Sequence, residues 1–164
     1  ENHKLGKLIN QTVKAHQDQA RLRNISLNVQ LEEDIDIVVD ASAFSIILSN
    51  FVTNALKHSP SNSEILIKND LEDDFLTTLS VIDHGKGIPK KYRDRVFERF
   101  FRVDKGRAKH SGGTGLGLAI SKHLARLMGY EVGMKPNKPN GSRFWISVNY
   151  ASSEEEKSLT PELA

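Results

Sequence analysis

Apolar residues recur at helical spacing over 41–58, where Phe44, Ile47, Leu48, Phe51 and Ala55 form one stripe and predict an amphipathic helix. Leu5, Leu8, Ile9, Val13 and Ala20 fall near one face of a second periodic stretch and predict a lead-in helix within 1–22. The segments ISLNVQL, EILIKND and LTTLSVID alternate apolar and polar residues and predict strands, the last two joined by a polar LEDD connection. IDIVVD predicts a short strand ending at Asp40, and EVGMK and SRFWISVNY predict two more, separated by the turn-rich PNKPNG. SPSNS and HGKGIP break the pattern as turns, and KKYRDRVFERFF supports only short helical pieces. RVDKGRAKHSGG has no periodicity and predicts a long loop. TGLGLAISKHLARLMG predicts a helix that opens on glycines. There are no internal repeats. This order of elements predicts an α+β sandwich, a mixed sheet covered on one face by helices.

A chain of 164 residues fits one domain, expected over 1–150, with the polar composition of 151–164 predicting a disordered acidic tail. The absence of cysteine excludes disulfides, thiol nucleophiles and cysteine-based zinc sites. No apolar run approaches the roughly 18 residues of a membrane span, no signal peptide opens the chain, and the opening ENHKLGKLIN reads as an excised domain. The formal net charge of +2 hides an uneven distribution. Residues 31–40 carry five acids, whereas Lys86 to Lys109 hold ten Lys and Arg against three acids. That basic stretch points to an anionic partner, with a solvated surface as the plain alternative. Nucleic acid is the weaker partner, since the run lacks interleaved stacking aromatics beyond Phe100 and Phe101.

Three stretches carry candidate chemistry. Asn50, Asn54 and Lys57 share one helical face within about 60° of arc, roughly opposite the apolar stripe. A polar solvent face is the plain reading, but asparagine is a poor helix-interior residue. Two amide oxygens and an ammonium suit a hydrated divalent cation and phosphate oxygens. In VIDHGKGIP, Asp83 ends an apolar strand, and Gly85 and Gly87 permit tight turning or close approach to a ligand. A strand-end Asx turn is equally compatible, and so is an acceptor for an exocyclic amine such as that of adenine. In SGGTGLGLAIS, glycines 112, 113, 115 and 117 lead into a helix, which makes an anion site from free N–H groups and the helix dipole. The run matches neither a Walker A loop nor a Rossmann fingerprint. Arg99 and Arg102 add planar donors for phosphate beside the aromatic cluster of FERFFRVDKG, in which Phe97 and Phe100 are expected to anchor the loop base in the core.

In this order and spacing, NFVTNALKHS, DHGKGIP, VFERFFRVD and GGTGLGLAIS resemble the N, G1, F and G2 boxes of the catalytic ATP-binding domain of sensor histidine kinases, the Bergerat fold shared with the GHKL ATPases. NGSRFWISV resembles the closing strand, so the resemblance covers residues 1 to about 150. It implies a two-layer sandwich that binds ATP with Mg²⁺ and donates the γ-phosphoryl group to a histidine. Asn54 would be the Mg²⁺ ligand, Asn50 would support the metal and phosphates, and Lys57 would meet phosphate. His58 would lie beside the nucleotide and Asp83 would accept from the adenine amine, in a pocket shaped by Gly85, Gly87 and Ile88. The resemblance places an ATP lid over 99–113, with Arg99 and Arg102 contacting phosphate. The backbone of Gly113, Thr114, Gly115, Leu116, Gly117 and Leu118 would cradle the phosphates, and the Ser142 hydroxyl would assist the adenine end.

None of the six histidines stands in a phosphoacceptor context. The resemblance therefore places the substrate histidine on an upstream dimerisation domain of the same protein and makes a response regulator the downstream partner. The fragment is expected to be monomeric and the full kinase a homodimer, with this domain on the cytoplasmic side of a membrane-anchored sensor. Hydrolytic GHKL enzymes typically carry Glu where this chain has Asn50, and an amide cannot act as a general base near neutral pH. Transfer to an external nucleophile is thus favoured over hydrolysis. An ATP-gated clamp, a degenerate nucleotide-binding module and an anti-sigma-type serine kinase are the alternatives. The chain departs from the family in lacking a Gly-Gly pair near 129–130 and a proline at the last strand.

Overall fold

The computed structural model describes residues 1–73, 75–103 and 115–151. Its elements run β1 (Asn2–Lys4), α1 (Leu5–Leu22), β2 (Ser26–Gln30), β3 (Asp36–Val38), α2 (Ala41–His58), β4 (Glu64–Asp73), β5 (Leu76–Ile82), α3 (Gly117–Leu127), β6 (Glu131–Pro136) and β7 (Ser142–Asn149), with one 3-10 turn at Lys90–Tyr92. The main sheet has the order β2-β4-β5-β7-β6; β2 and β4 are parallel and the other neighbours antiparallel. This is the mixed α+β sandwich the alternation predicts.

Alternation along the strands sorts the two faces. Ile65 and Ile67 of β4, Leu79 and Val81 of β5, and Phe144, Ile146 and Val148 of β7 enter one core with Leu5, Leu8 and Ile9 of α1 and Phe44, Ile47 and Phe51 of α2. Each large apolar side chain so buried contributes roughly 1.5–3 kcal/mol. Polar residues at intervening positions pair within and across the strands: Arg143 reaches Ser80 at 2.9 Å and Asp70 at 2.6 Å while Lys68 meets Asp70 at 3.2 Å.

Two elements differ from the sequence expectation. The lead-in helix spans Leu5–Leu22, inside the expected stretch, but it is preceded by a strand, because Asn2, His3 and Lys4 pair antiparallel with Val38, Ile37 and Asp36. Asp34 then accepts the Gly6 N–H at 2.9 Å and serves the first turn of α1 from a distant loop. The LEDD connection is largely strand: β4 continues to Asp73 and pairs with β5 as far as Leu76.

Candidate functional site

Helix α2 supplies one wall. Its N-terminus is capped by Asp40, whose carboxylate accepts the Ala43 N–H at 2.8 Å. At its other end the Arg23 guanidinium donates to the carbonyls of Leu56 and Ser59, and Ser59 closes the helix by donating to the Ala55 carbonyl at 2.6 Å. The last turn is therefore held firmly, and the His58 carbonyl packs against Gly85. A Cβ at position 85 would lie 2.2 Å from that carbonyl oxygen, so the loop after β5 approaches α2 only because residue 85 has no side chain.

Asp83 lies at the end of β5 and is 2% exposed. Its backbone N–H donates to the Ser142 carbonyl at 2.9 Å. Its carboxylate Oδ1 accepts two backbone donors, Gly85 N–H at 2.9 Å and Ser142 N–H at 3.3 Å; Oδ2 takes neither. Burial pushes the Asp83 carboxyl above the ordinary carboxylate value. The two backbone donors and the nearby imidazoles of His58 and His84 pull the other way and offset this only in part. Ser142 thus acts on Asp83 through its backbone. Gly87 turns the chain with φ +73°, and the half-buried Ile88 packs on the core while its carbonyl accepts Arg93 Nε at 3.0 Å.

The second wall pairs α2 with the start of α3. Asn50 and Asn54 are half-buried, not set on an open solvent face, whereas Lys57 and His58 are exposed. Asn50 Nδ2 donates to the Gly117 carbonyl at 2.9 Å, which ties the middle of α2 to the first turn of α3. Leu118 packs on the core, and the Leu116 carbonyl accepts the Ile120 N–H at 2.9 Å to open the helix. Gly113 and Thr114, and the expected lid beyond Val103, lie outside the described residues, as does the tail after Ala151.

The aromatic stretch divides its work differently from the expectation. Phe97 does pack into the core, edge-on to Phe144 at 6.0 Å. Phe100 does not: it is 71% exposed, with a left-handed backbone at φ +62°. Its N–H donates to the Gly115 carbonyl at 2.8 Å, so backbone pairing at this point draws the chain to the start of α3 and turns the ring outward. Phe101 takes the inward place, against the core and beside Tyr92 at 5.7 Å, with the Arg95 guanidinium 4.7 Å above its ring. Arg99 is exposed and Arg102 half-buried at this edge.

Sequence reasoning missed the clamp behind Asp83. Asn137 Nδ2 lies 3.5 Å from the Asp83 carbonyl and 3.3 Å from His84 Nδ1, and Asn140 donates to the His84 carbonyl at 3.0 Å. Gly141 has φ +107°, and a Cβ there would lie 1.9 Å from the Asp83 carbonyl oxygen. PNKPNG reads locally as a turn; its service to a loop more than fifty residues away leaves no local signature.

The arrangement therefore joins a buried carboxylate to an amide-bearing helix face and a glycine-led helix start. A family model described as "Histidine kinase-, DNA gyrase B-, and HSP90-like ATPase" matches residues 39–152. The chain belongs to this family. Sensor histidine kinase WalK of Bacillus subtilis is 36% identical over 126 residues, covering 76% of this chain and 21% of WalK. Among solved structures, the mycobacterial sensor histidine kinase MprB superposes with a TM-score of 0.79 at 26% identity, over 93% of this chain and 98% of that one. Full-length ShkA in complex with AMPPNP superposes with a TM-score of 0.81 at 27% identity, over 93% of this chain and 31% of ShkA. The chain has the fold of histidine kinase catalytic domains and spans about a fifth of WalK. No helix among the described residues is long and apolar enough to cross a membrane.

Proposed function

We propose that residues 1–150 form a domain that binds Mg·ATP and donates the γ-phosphoryl group to a histidine on the dimerisation domain of the same sensor kinase, upstream of a response regulator. The observation that carries this reading is that one helix meets both walls of the candidate site: the His58 carbonyl of α2 backs the loop of Asp83, and Asn50 of α2 reaches the start of α3. The full kinase would be a homodimeric, membrane-anchored sensor with this domain in the cytoplasm and monomeric in isolation. The ShkA structure holding AMPPNP supports the choice of ligand.

At the base end, Asp83 Oδ2 accepts from the adenine amine while Oδ1 stays on the backbone donors of Gly85 and Ser142. Gly85, Gly87 and Ile88 shape that pocket and His58 borders it. At the phosphate end, the amide oxygens of Asn54 and Asn50 are hard donors that fit Mg²⁺, which prefers oxygen and keeps several waters. When bound, that ion would neutralise phosphate charge. Lys57, Arg99 and Arg102 supply cationic donors, and the backbone from Gly113 to Leu118 supplies N–H groups at a helix start. Position 50 offers no general base, so water is not activated from that position and the domain waits for an external nucleophile.

The test is incubation of the domain with γ-labelled ATP and the histidine-bearing dimerisation domain. The expected outcome is Mg²⁺-dependent, acid-labile label on the partner histidine with little free phosphate. Free phosphate without labelled partner would favour an ATP-gated clamp, and acid-stable label on serine would mark a serine kinase.

A further inference from the structure

Asn50 presents two different chemical ends, and only one of them can serve a cation. The Gly117 carbonyl is an acceptor without a donor, so the atom facing it at 2.9 Å is the amide nitrogen. A second acceptor reinforces that choice. Ser121 Oγ lies 3.1 Å from Asn50 Nδ2 and donates its own proton to the Gly117 carbonyl at 2.9 Å. Ser121 is 0% exposed, one turn along α3 from Gly117. The three groups close a small ring: the hydroxyl accepts from the amide and gives to the carbonyl, and the amide gives to both. Rotating the amide by half a turn would set Oδ1 against the Gly117 carbonyl and would cost both of the bonds that Nδ2 donates. The oxygen is meanwhile left uncovered by the residue opposite. A Cβ at Gly117 would lie 3.4 Å from Asn50 Oδ1, in contact with it, and glycine places nothing there.

We propose that Ser121 is a positioning residue that, with the Gly117 carbonyl, holds the Asn50 amide so that oxygen and not NH₂ faces the hydrated cation. The inference rests on the Mg·ATP reading above and extends it to a buried residue that touches neither metal nor nucleotide. It gives Ser121 a role distinct from helix packing, because the hydroxyl acts through the direction of another residue's amide.

Two measurements test it on the nucleotide-free and the nucleotide-bound domain. In ¹⁵N spectra of the nucleotide-free protein, Ser121→Ala should shift the Asn50 side-chain NH₂ resonances and raise their exchange about fivefold, the equivalent of one ordinary hydrogen bond. In calorimetric titrations with AMPPNP, the same variant should cut the gain in affinity on adding Mg²⁺ about fivefold and leave the Mg²⁺-free affinity within about twofold. In an Asn50→Ala background Ser121→Ala should cause no further change in that Mg²⁺-dependent gain. Ser121→Cys, which keeps the side chain's shape with a larger and more weakly hydrogen-bonding sulfur, should resemble Ser121→Ala. Equal loss with and without Mg²⁺, additivity with Asn50→Ala, or an unshifted Asn50 amide would overturn the proposal. A wild-type domain that binds no AMPPNP would overturn the Mg·ATP reading instead, and the amide spectra would still decide whether Ser121 orients Asn50.

Discussion

The base end and the phosphate end of the candidate site are built by opposite means. Asp83 is buried, and its carboxylate is held by the backbone N–H groups of Gly85 and Ser142, while the Asn137 side-chain amide lies 3.5 Å from its carbonyl. Asn50 and Asn54 are half-buried side chains on a helix, and Asn50 is held through one amide group. A backbone-locked carboxylate leaves little freedom, so it can discriminate one base edge from another. It also carries a cost, since burial disfavours the ionised form. Half-buried amides desolvate less and leave room for water around a cation. On the Mg·ATP reading proposed above, the contrast puts specificity where the fold is rigid and charge handling where the surface is open.

The largest break in this contrast should come from Gly141→Ala. Its Cβ would collide with the Asp83 carbonyl at 1.9 Å, and φ +107° is strained for alanine. We expect destabilisation of about 3 kcal/mol in thermal or denaturant unfolding and loss of measurable nucleotide binding.

Asp83→Asn separates recognition from stability. The amide oxygen can still accept from Gly85 and Ser142, but an NH₂ then faces the base. Nucleotide affinity should fall about a hundredfold, the worth of a charge-assisted hydrogen bond. Unfolding should respond in the other direction. A raised carboxyl pKa means that the aspartate contributes stability below the ordinary carboxylate range and loses it as pH climbs through the raised value. The asparagine variant should therefore gain on wild type as pH rises through that window, and the two should converge in acid. A variant less stable than wild type at neutral pH would contradict the desolvated carboxylate.

Asn54→Ala probes the open end. With no hydrogen bond from this side chain to the described residues, unfolding should shift by less than about 0.5 kcal/mol. The Mg²⁺-dependent gain in AMPPNP affinity should drop about tenfold in calorimetry.

The smallest effect should come from Phe100→Asn. The ring is mostly in solvent and the backbone is left-handed, a conformation asparagine tolerates better. Unfolding should show a gain of about 0.5 kcal/mol; a loss would mean that the ring contributes packing that its exposure conceals.

Much of this was legible beforehand where the information is local. The stripe of Phe44, Ile47, Phe51 and Ala55 marks α2 because helical periodicity is a property of neighbours in sequence, and the alternation of SRFWISVNY marks β7 for the same reason. The boxes around Asn50, Asp83 and Gly117 are legible because chemistry needs those residue types at fixed spacing. Non-local pairing is what stayed hidden. Nothing in Asn2, His3 and Lys4 announces a strand until β3 lies beside them. Nothing in the turn at Asn137 announces a clamp on Asp83, and nothing in the aromatic run says that Phe101 turns inward where Phe100 does not. The direction of the Asn50 amide was likewise beyond reach, because it is set by a carbonyl and a hydroxyl some seventy residues away.

The central claim is that a rigid, buried Asp83 reads an adenine edge, and one comparison tests it directly. Calorimetric titration of the wild-type domain with AMPPNP and with the matching guanine analogue, both with Mg²⁺, should show an adenine preference of about a hundredfold or more, because guanine presents an acceptor where adenine presents its amine. Equal affinity for the two bases would contradict the account and leave Asp83 as a structural turn residue.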